Sequence, residues 1–401
     1  MVIKLDKIFD SIRSNNIFKD KSVLQSNYTP QDIPHRDKEI EQIATILAPF
    51  LRKERSSNLF IYGNPGTGKT VCVQYVREEL LKKAQEFNVP LKIEYINCKL
   101  KKIADTEYRI FAELIRKLGE EIPATGLPTD QVYSKFIELV DKEKVFLVII
   151  LDEIDQAVKK ISDSFLYNLT RLNSELKNSQ ICIIGISNDI SFLDYIDPRV
   201  KSSLSEEEII FPPYNALQLQ DILKIRAVNA FKENVLADGV IAKCSAYAAR
   251  EHGDARRALD LLRLAGEIAE RENSAVVTLE HIDKANERIE RDKIIDIVSS
   301  EPKQYQLVLL SIIQLDENKG RERKIFTGDV YNIYQNLCVE NGIETLTQRR
   351  VSDIIAEFDM LGLVNAKVVS NGRHGRTREI KLSIPSSILP KVKEILNEAI
   401  Y

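Results

Sequence analysis

The sequence has few cysteines, and they are not grouped. Five occur among 401 residues; none forms a CxxC pair and none stands near a histidine at metal-binding spacing. That excludes a zinc finger or a disulfide framework. Cys72, Cys98, Cys182, Cys244 and Cys338 are scattered, three of them inside apolar runs, and they read as reduced core residues of an intracellular protein. Long hydrophobic runs are missing too. The longest, such as 146–151, are far too short to span a bilayer, which argues against a membrane partner. No secretory leader shows over residues 1–9, where apolar residues alternate with Lys4, Asp6 and Lys7. Neither charge sign is in surplus: 57 basic residues meet 60 acidic ones, a formal net charge of −3. A nucleic-acid partner therefore cannot be read from the total, and any basic surface must be local. Internal repeats and low-complexity tracts are absent.

What is present is an ordinary globular composition, 44% hydrophobic and 29% charged, at a length that predicts two or three domains. The first half alternates strand-like and helical segments. Residues 58–62 are a short apolar run before a glycine-rich turn, and a helical stretch follows with Val73, Val76 and Leu80 on one face. Residues 91–97 alternate as a strand does, and two amphipathic helices fit 107–118 and 129–140. Continuous apolar runs at 145–151 and 181–186, with a shorter one at 208–211, predict buried strands. This pattern predicts an α/β domain over 1–212, a parallel sheet covered by helices.

From Ala216 the strands cease. Four helical patterns run to about Arg291, with stripes at Leu217, Ile222 and Ile225 and at Ala258, Leu261, Leu262 and Ala265. They predict an all-α domain over 213–293, its charged stretch 286–293 continuing as a helix and connector. Residues 294–401 read as a helix at 304–315, a charged loop, a helix capped by Thr327, and a helix capped by Thr347. Val351, Ile354, Ile355, Phe358 and Leu361 share one face of the last. Two strands, 363–369 and 378–383, flank a turn rich in glycine and arginine. Three helices and a hairpin form the winged variant of the helix-turn-helix.

Gly63-Asn64-Pro65-Gly66-Thr67-Gly68-Lys69-Thr70 fits G-x-x-x-x-G-K-[ST] without mismatch, between a strand and a helix as the motif requires. Glycines let the backbone curl so that its N–H groups converge on phosphate oxygens, and the following helix adds its positive end. Lys69 is expected to reach the β- and γ-phosphates of ATP, or the β-phosphate of ADP, and Thr70 to place its hydroxyl on Mg²⁺. Downstream, the apolar strand ending in Asp152-Glu153 puts Asp152 at the carboxyl edge of the sheet. There it can hold Mg²⁺ or its water shell, while Glu153 orients and deprotonates the attacking water. Asp155 reads as a helix N-terminal charge.

The capped helix from Gln348 shows Gln348, Arg349, Arg350 and Ser352 opposite its apolar face, polar groups able to reach phosphates and base edges. The turn Ser370-Asn371-Gly372-Arg373-His374-Gly375-Arg376-Thr377-Arg378 packs three arginines into six positions. Arginine can enter a narrow minor groove, and glycine lets the turn fit there. Both features predict binding of double-stranded DNA.

The order of phosphate loop, Leu151-Asp152-Glu153, Gly185-Ile186-Ser187-Asn188-Asp189 and Gly253-Asp254-Ala255-Arg256 resembles the AAA+ ATPases. The resemblance implies a helical lid after the sheet domain. It also implies that Asn188 is sensor 1, aligning water, and that Arg256 is sensor 2, touching the γ-phosphate. More specifically, the chain resembles archaeal replication initiators, relatives of the eukaryotic origin-recognition subunits and the cell-division-control helicase loader. Ile33-Pro34-His35-Arg36-Asp37-Lys38-Glu39-Ile40, Asp197-Pro198-Arg199-Val200-Lys201-Ser202-Ser203-Leu204 and Phe211-Pro212-Pro213-Tyr214 carry that likeness, together with Gly253 to Asp260. By it, Tyr214 and Arg226 contact the nucleotide, although Pro-Pro-Tyr also reads as a hinge. An insertion over 105–130 would add a second DNA contact, with Lys99, Lys101 and Lys102 nearby.

One departure concerns the family's trans-acting arginine finger. Arg199 either serves as the finger, pairs with Asp197 or packs locally, and without a finger hydrolysis is slow. The expectation is an ATP-regulated initiator, a slow ATPase used as a switch, that binds origin double-stranded DNA and helps recruit the replicative helicase. A second initiator could share the DNA. The expected location is the cytoplasm, on the nucleoid. Two other classes fit the parts: a clamp-loader-like DNA-dependent ATPase, which would need the finger, and a transcription regulator with a nucleotide sensor.

Overall fold

The apolar runs of the first half become five parallel strands, β1 (Leu59–Gly63), β2 (Leu91–Asn97), β3 (Phe146–Asp152), β4 (Gln180–Ser187) and β5 (Glu207–Phe211), in the order β2-β3-β4-β1-β5. They belong to a computed structural model that describes residues 17–25, 28–30, 32–99, 105–123, 126–204, 206–318, 324–370 and 376–400. The chain divides into two compact units, Met1–Ile282 and Asp283–Tyr401.

In the first unit, helices cover both faces of the sheet, so alternate residues of β3 enter different cores. Val148 and Ile150 pack with Ile43 and Leu47 of α1 (Asp37–Leu47) and with Val73 and Val76 of α2 (Lys69–Glu86). Leu147, Ile149 and Leu151 pack against α3 (Glu107–Lys117), α4 (Thr129–Glu143), α5 (Ile154–Ile161), α6 (Ser164–Glu175) and α7 (Pro198–Leu204). An unbroken apolar run is the pattern such two-sided burial demands. Parallel strands also collect their carboxyl ends at one edge. The register there sets Asn97 beside Asp152 and Tyr62 beside Ser187.

The four helices expected after the sheet are α8 (Ala216–Ala230), α9 (Val240–Arg250), α10 (Ala255–Arg271) and α11 (Leu279–Ser300). Asn215 and Gln218 exchange the two hydrogen bonds of a capping box at the start of α8. Asp254 caps α10. The charged stretch 286–293 continues α11 without a break. An early segment, not foreseen, lies on these helices. Phe18 bridges to Phe231, and its ring sits where a β-carbon on Gly266 would be, 2.5 Å away.

The second unit is a winged helix with one core. Helices α12 (Lys303–Asn318), α13 (Thr327–Glu340) and α14 (Gln348–Met360) pack with a three-stranded antiparallel sheet, β6 (Ile325–Phe326), β8 (Arg376–Leu382) and β7 (Val364–Ser370) in spatial order. A last helix, α15 (Leu389–Ile400), adds Val392, Leu396 and Ile400 to the core. It and β6 were not foreseen.

Two local readings change. Thr327 is the first helical residue of α13, not its cap, because Ile325 and Phe326 are held extended by pairing with β8. Its hydroxyl accepts the Arg378 backbone N–H at 3.2 Å. Leu361 falls just beyond α14 and is exposed, whereas Val351, Ile354, Ile355 and Phe358 are buried as expected. Thr347 does cap α14, accepting from the Arg350 N–H at 3.3 Å. All five cysteines are free and buried.

Candidate functional site

The phosphate loop joins β1 to α2 through backbone that two glycines permit. Gly66 (φ 71°) and Gly68 (φ 94°) both lie in the left-handed region. A β-carbon on Gly68 would stand 2.9 Å from the Tyr214 hydroxyl. Lys69 begins α2, is only 5% exposed, and donates to the carbonyls of Gly63 (2.7 Å) and Asn64 (2.8 Å). Burial lowers its ammonium to about 8. Thr67 ties the loop to itself by donating to the Asn64 carbonyl at 2.9 Å.

Thr70 follows one residue into the helix, and its hydroxyl donates to Asp152 Oδ2 at 2.9 Å. The two motifs, 82 residues apart in sequence, thus meet. Asp152 Oδ2 also accepts from the Tyr95 hydroxyl at 2.7 Å, and Oδ1 from the Glu153 N–H at 3.0 Å. Glu153 adopts a left-handed backbone (φ 55°) where β3 turns into α5. Asp155 is buried in the first turn of α5 and accepts from Ser187 Oγ at 3.1 Å, which fastens the end of β4.

A cavity of about 400 Å³ opens above this edge. Gly66, Gly68, Lys69, Thr70, Asp152, Glu153 and Asn188 line its polar end; Tyr28, Ile33, Ile222, Ile225 and Leu259 line an apolar one. Tyr214, Arg226 and Arg256 border it as well, so the sheet and lid residues singled out in the sequence converge on one space. Arg226 is also a lid fastener. It donates to the Val23 carbonyl at 3.2 Å and lies 4.5 Å over the Tyr28 ring, and burial lowers its pKa. Burial also pushes the Tyr214 phenol up to about 12.

Arg36 lies in a segment that carries the family likeness, but its role is not legible there. It is 2% exposed and donates to the carbonyls of Thr67 (2.9 Å) and Pro212 (2.5 Å) and to Glu39 (2.9 Å). Its guanidinium lies 4.0 Å over the Tyr214 ring. Phosphate loop, the end of β5 and lid entry are joined by one side chain. Tyr95 was missed as well, because a tyrosine on an alternating strand reads as packing. Arg199 forms a two-pronged pair with Asp197, at 3.1 and 2.9 Å, on the surface. It is not among the residues lining the cavity.

In the second unit, Gln348, Arg349 and Arg350 stand exposed on the first turn of α14. Arg350 donates to the Tyr305 hydroxyl at 2.9 Å and pairs with Glu357 at 3.7 Å. Arg378 on β8 reaches Ser352 Oγ at 3.4 Å, linking hairpin to helix. Arg373 and His374 lie outside the described residues, as does the side chain of Arg376. Lys101 and Lys102 lie outside them too. No helix among the described residues is long and apolar enough to cross a membrane.

Three family models match the chain: a AAA domain over residues 52–191, a Cdc6 AAA+ ATPase-type lid domain over 220–287, and the CDC6 C-terminal winged helix domain over 296–391. The chain is 52% identical over 399 residues to an ORC1-type DNA replication protein of Pyrococcus furiosus, covering 98% of this chain and 93% of that one. A protein of the same description from Thermococcus onnurineus is 53% identical over 385 residues, with 95% and 92% covered. Among solved structures, the Aeropyrum pernix ORC1 protein in complex with DNA is 42% identical, with a TM-score of 0.81 and 95% and 97% of the two chains covered.

Proposed function

Because this chain belongs to the family of ORC1-type DNA replication proteins, we propose that it is an ATP-regulated initiator. It grips origin double-stranded DNA, and the nucleotide it holds sets the surface it offers to partners. The observation that carries this is the meeting of Thr70 and Asp152 at the head of a cavity bordered by the lid, in a chain that also folds a winged helix.

The residues fit a magnesium nucleotide. Gly66 and Gly68 hold the left-handed backbone that curls the loop, and a hydroxyl and a carboxylate already share a contact at its mouth. Thr70 and Asp152 would hold the ion, whose charge neutralises and polarises the terminal phosphoryl group when bound. Lys69 would leave the two carbonyls for phosphate oxygens, and the first N–H groups of α2 would donate to the same anion. Glu153 would take the proton of the attacking water, with Asn188 orienting that water. Arg256, at the start of α10, would sense the γ-phosphate and set the lid angle. The base would occupy the apolar end beside Tyr28, Tyr214 and Arg226. Arg199 is occupied by Asp197, which favours slow hydrolysis and a switch over a motor.

On the DNA side, Gln348, Arg349 and Arg350 would enter the major groove and Arg373, His374, Arg376 and Arg378 the minor groove. Recruitment of the replicative helicase, a second initiator on the same DNA and residence on the nucleoid complete the proposal. Footprinting on DNA from the source genome, with ATP and with ADP, tests it. Protection confined to a few replication start sites, and altered by the nucleotide, is expected. Protection spread over promoters, or indifferent to the nucleotide, would overturn it.

A further inference from the structure

The carboxylate of Asp152 is held by a partner that none of the motifs contains. β2 and β3 run side by side, with Tyr95 level with Ile150 and Asn97 level with Asp152. The Tyr95 ring is packed against the core that α2 shares with the sheet. Its hydroxyl emerges at the cavity edge, where it lines the wall and donates to Asp152 Oδ2 at 2.7 Å. Asn97, two residues further along β2, lines the cavity as well. The Asp152 carboxylate at the end of β3 is therefore held between Tyr95 on β2 and Thr70 on α2.

We propose that Tyr95 is a positioning residue for the magnesium site: its O–H locks the Asp152 carboxylate in the orientation that faces Thr70. The proposal rests on the reading of Thr70 and Asp152 as holders of magnesium and names what prepares one of them.

A hydroxyl donating to an ionised carboxylate makes a charge-assisted bond, stronger than a neutral one. The phenol is carried on a stiff side chain whose ring is already fixed by packing, so little freedom is left to lose when the carboxylate is captured. Finally, the two donors on Oδ2 are not equivalent. Thr70 would share its hydroxyl oxygen between a bound ion and Asp152, whereas Tyr95 would act on the ion only through the carboxylate. Asp152 Oδ1 has the Glu153 N–H, a backbone donor that no side-chain change removes. Outer-shell partners of this kind are worth about 10–100-fold in metal affinity.

Tyr95→Phe keeps the ring and removes only the donor. The experiment titrates magnesium into the full chain carrying methylanthraniloyl-ATP and reads fluorescence, then repeats the nucleotide titration in EDTA. Expected for Tyr95→Phe is a half-saturating magnesium concentration raised about tenfold, with metal-free nucleotide affinity unchanged within about twofold. An unchanged magnesium requirement, or an equal loss in EDTA, would overturn the assignment, since mere packing would weaken both conditions alike.

A cycle with Asp152→Asn guards against a folding effect. In that background Tyr95→Phe should add no further loss of magnesium affinity, whereas an independent loss refutes the coupling. If the unmodified chain takes up the nucleotide with no dependence on magnesium, the ion-site reading of Thr70 and Asp152 falls first, and Tyr95 with it. A normal magnesium dependence in the unmodified chain that is untouched by Tyr95→Phe refutes the Tyr95 assignment alone.

Discussion

The Asp254 carboxylate takes the volume that a side chain at Gly66 would need: a β-carbon there would lie 1.7 Å from Oδ1. Beside this contact the Ala255 N–H donates to the Gly66 carbonyl at 3.2 Å. The first turn of the lid helix α10 is thereby seated on the phosphate loop. The same carboxylate caps that helix, accepting from the Arg256 N–H at 2.7 Å. A shift of Asp254 thus moves the backbone that carries Arg256.

Gly66→Ala is expected to weaken nucleotide binding at least tenfold. The new methyl must displace Asp254, and the left-handed backbone adds about 1–2 kcal/mol of strain for a residue with a β-carbon. Pairing it with Asp254→Ala removes the clash but not the strain, so calorimetry should find part of the affinity restored. No recovery in the double variant would show that Asp254 is not the obstacle.

Lys69→Ala should abolish tight nucleotide binding. No other buried ammonium among the described residues lies beside the loop, and the two carbonyls it now satisfies would be left facing the phosphates. Isothermal titration that finds wild-type affinity would refute the site.

Glu153→Gln should leave the nucleotide bound and stop its hydrolysis. The amide keeps the shape at the turn into α5 but cannot take a proton from water. Single-turnover measurement of phosphate release is the check, and an unaltered rate removes the role assigned to Glu153.

Arg36→Ala should destabilise the first unit by about 3 kcal/mol, because it strands the carbonyls of Thr67 and Pro212 and leaves Glu39 without its buried partner. Urea unfolding of the nucleotide-free protein measures this. Arg36→Lys should recover little, since one ammonium cannot span three acceptors while lying over Tyr214. A loss below about 0.5 kcal/mol, the range of ordinary surface changes, would contradict the joining role.

Arg349→Ala and Arg378→Ala separate the two kinds of DNA contact. A residue that reads a base should cost about 1–3 kcal/mol and relax specificity at one position; one that meets a phosphate should lower the salt slope by about 1. Binding isotherms over a range of salt distinguish them. Indifference of both variants would discard this face of the winged helix.

In the second unit, sequence periodicity succeeds for the long helices and fails for the shortest strand. Val351, Ile354, Ile355 and Phe358 repeat at helical spacing and are buried as that spacing requires. Ile325 and Phe326 form a strand only because β8 lies alongside, and two residues carry no period. Helix α15 was legible in principle: Val392, Leu396 and Ile400 recur every four residues.

The phosphate loop and the acidic end of β3 were legible in the sequence alone, because their parts are local. A curled loop of amides needs glycines at fixed spacing, and a buried parallel strand needs an unbroken apolar run before its terminal acids. What sequence could not decide is which distant side chains complete those parts. Tyr95 meets Asp152 across 57 residues and Arg36 meets Pro212 across 176. Each contact exists only because the fold fixes which strand lies beside which and what stands at the end of β5. Neighbours along the chain constrain one another through backbone geometry, whereas neighbours in space are chosen by packing the whole core.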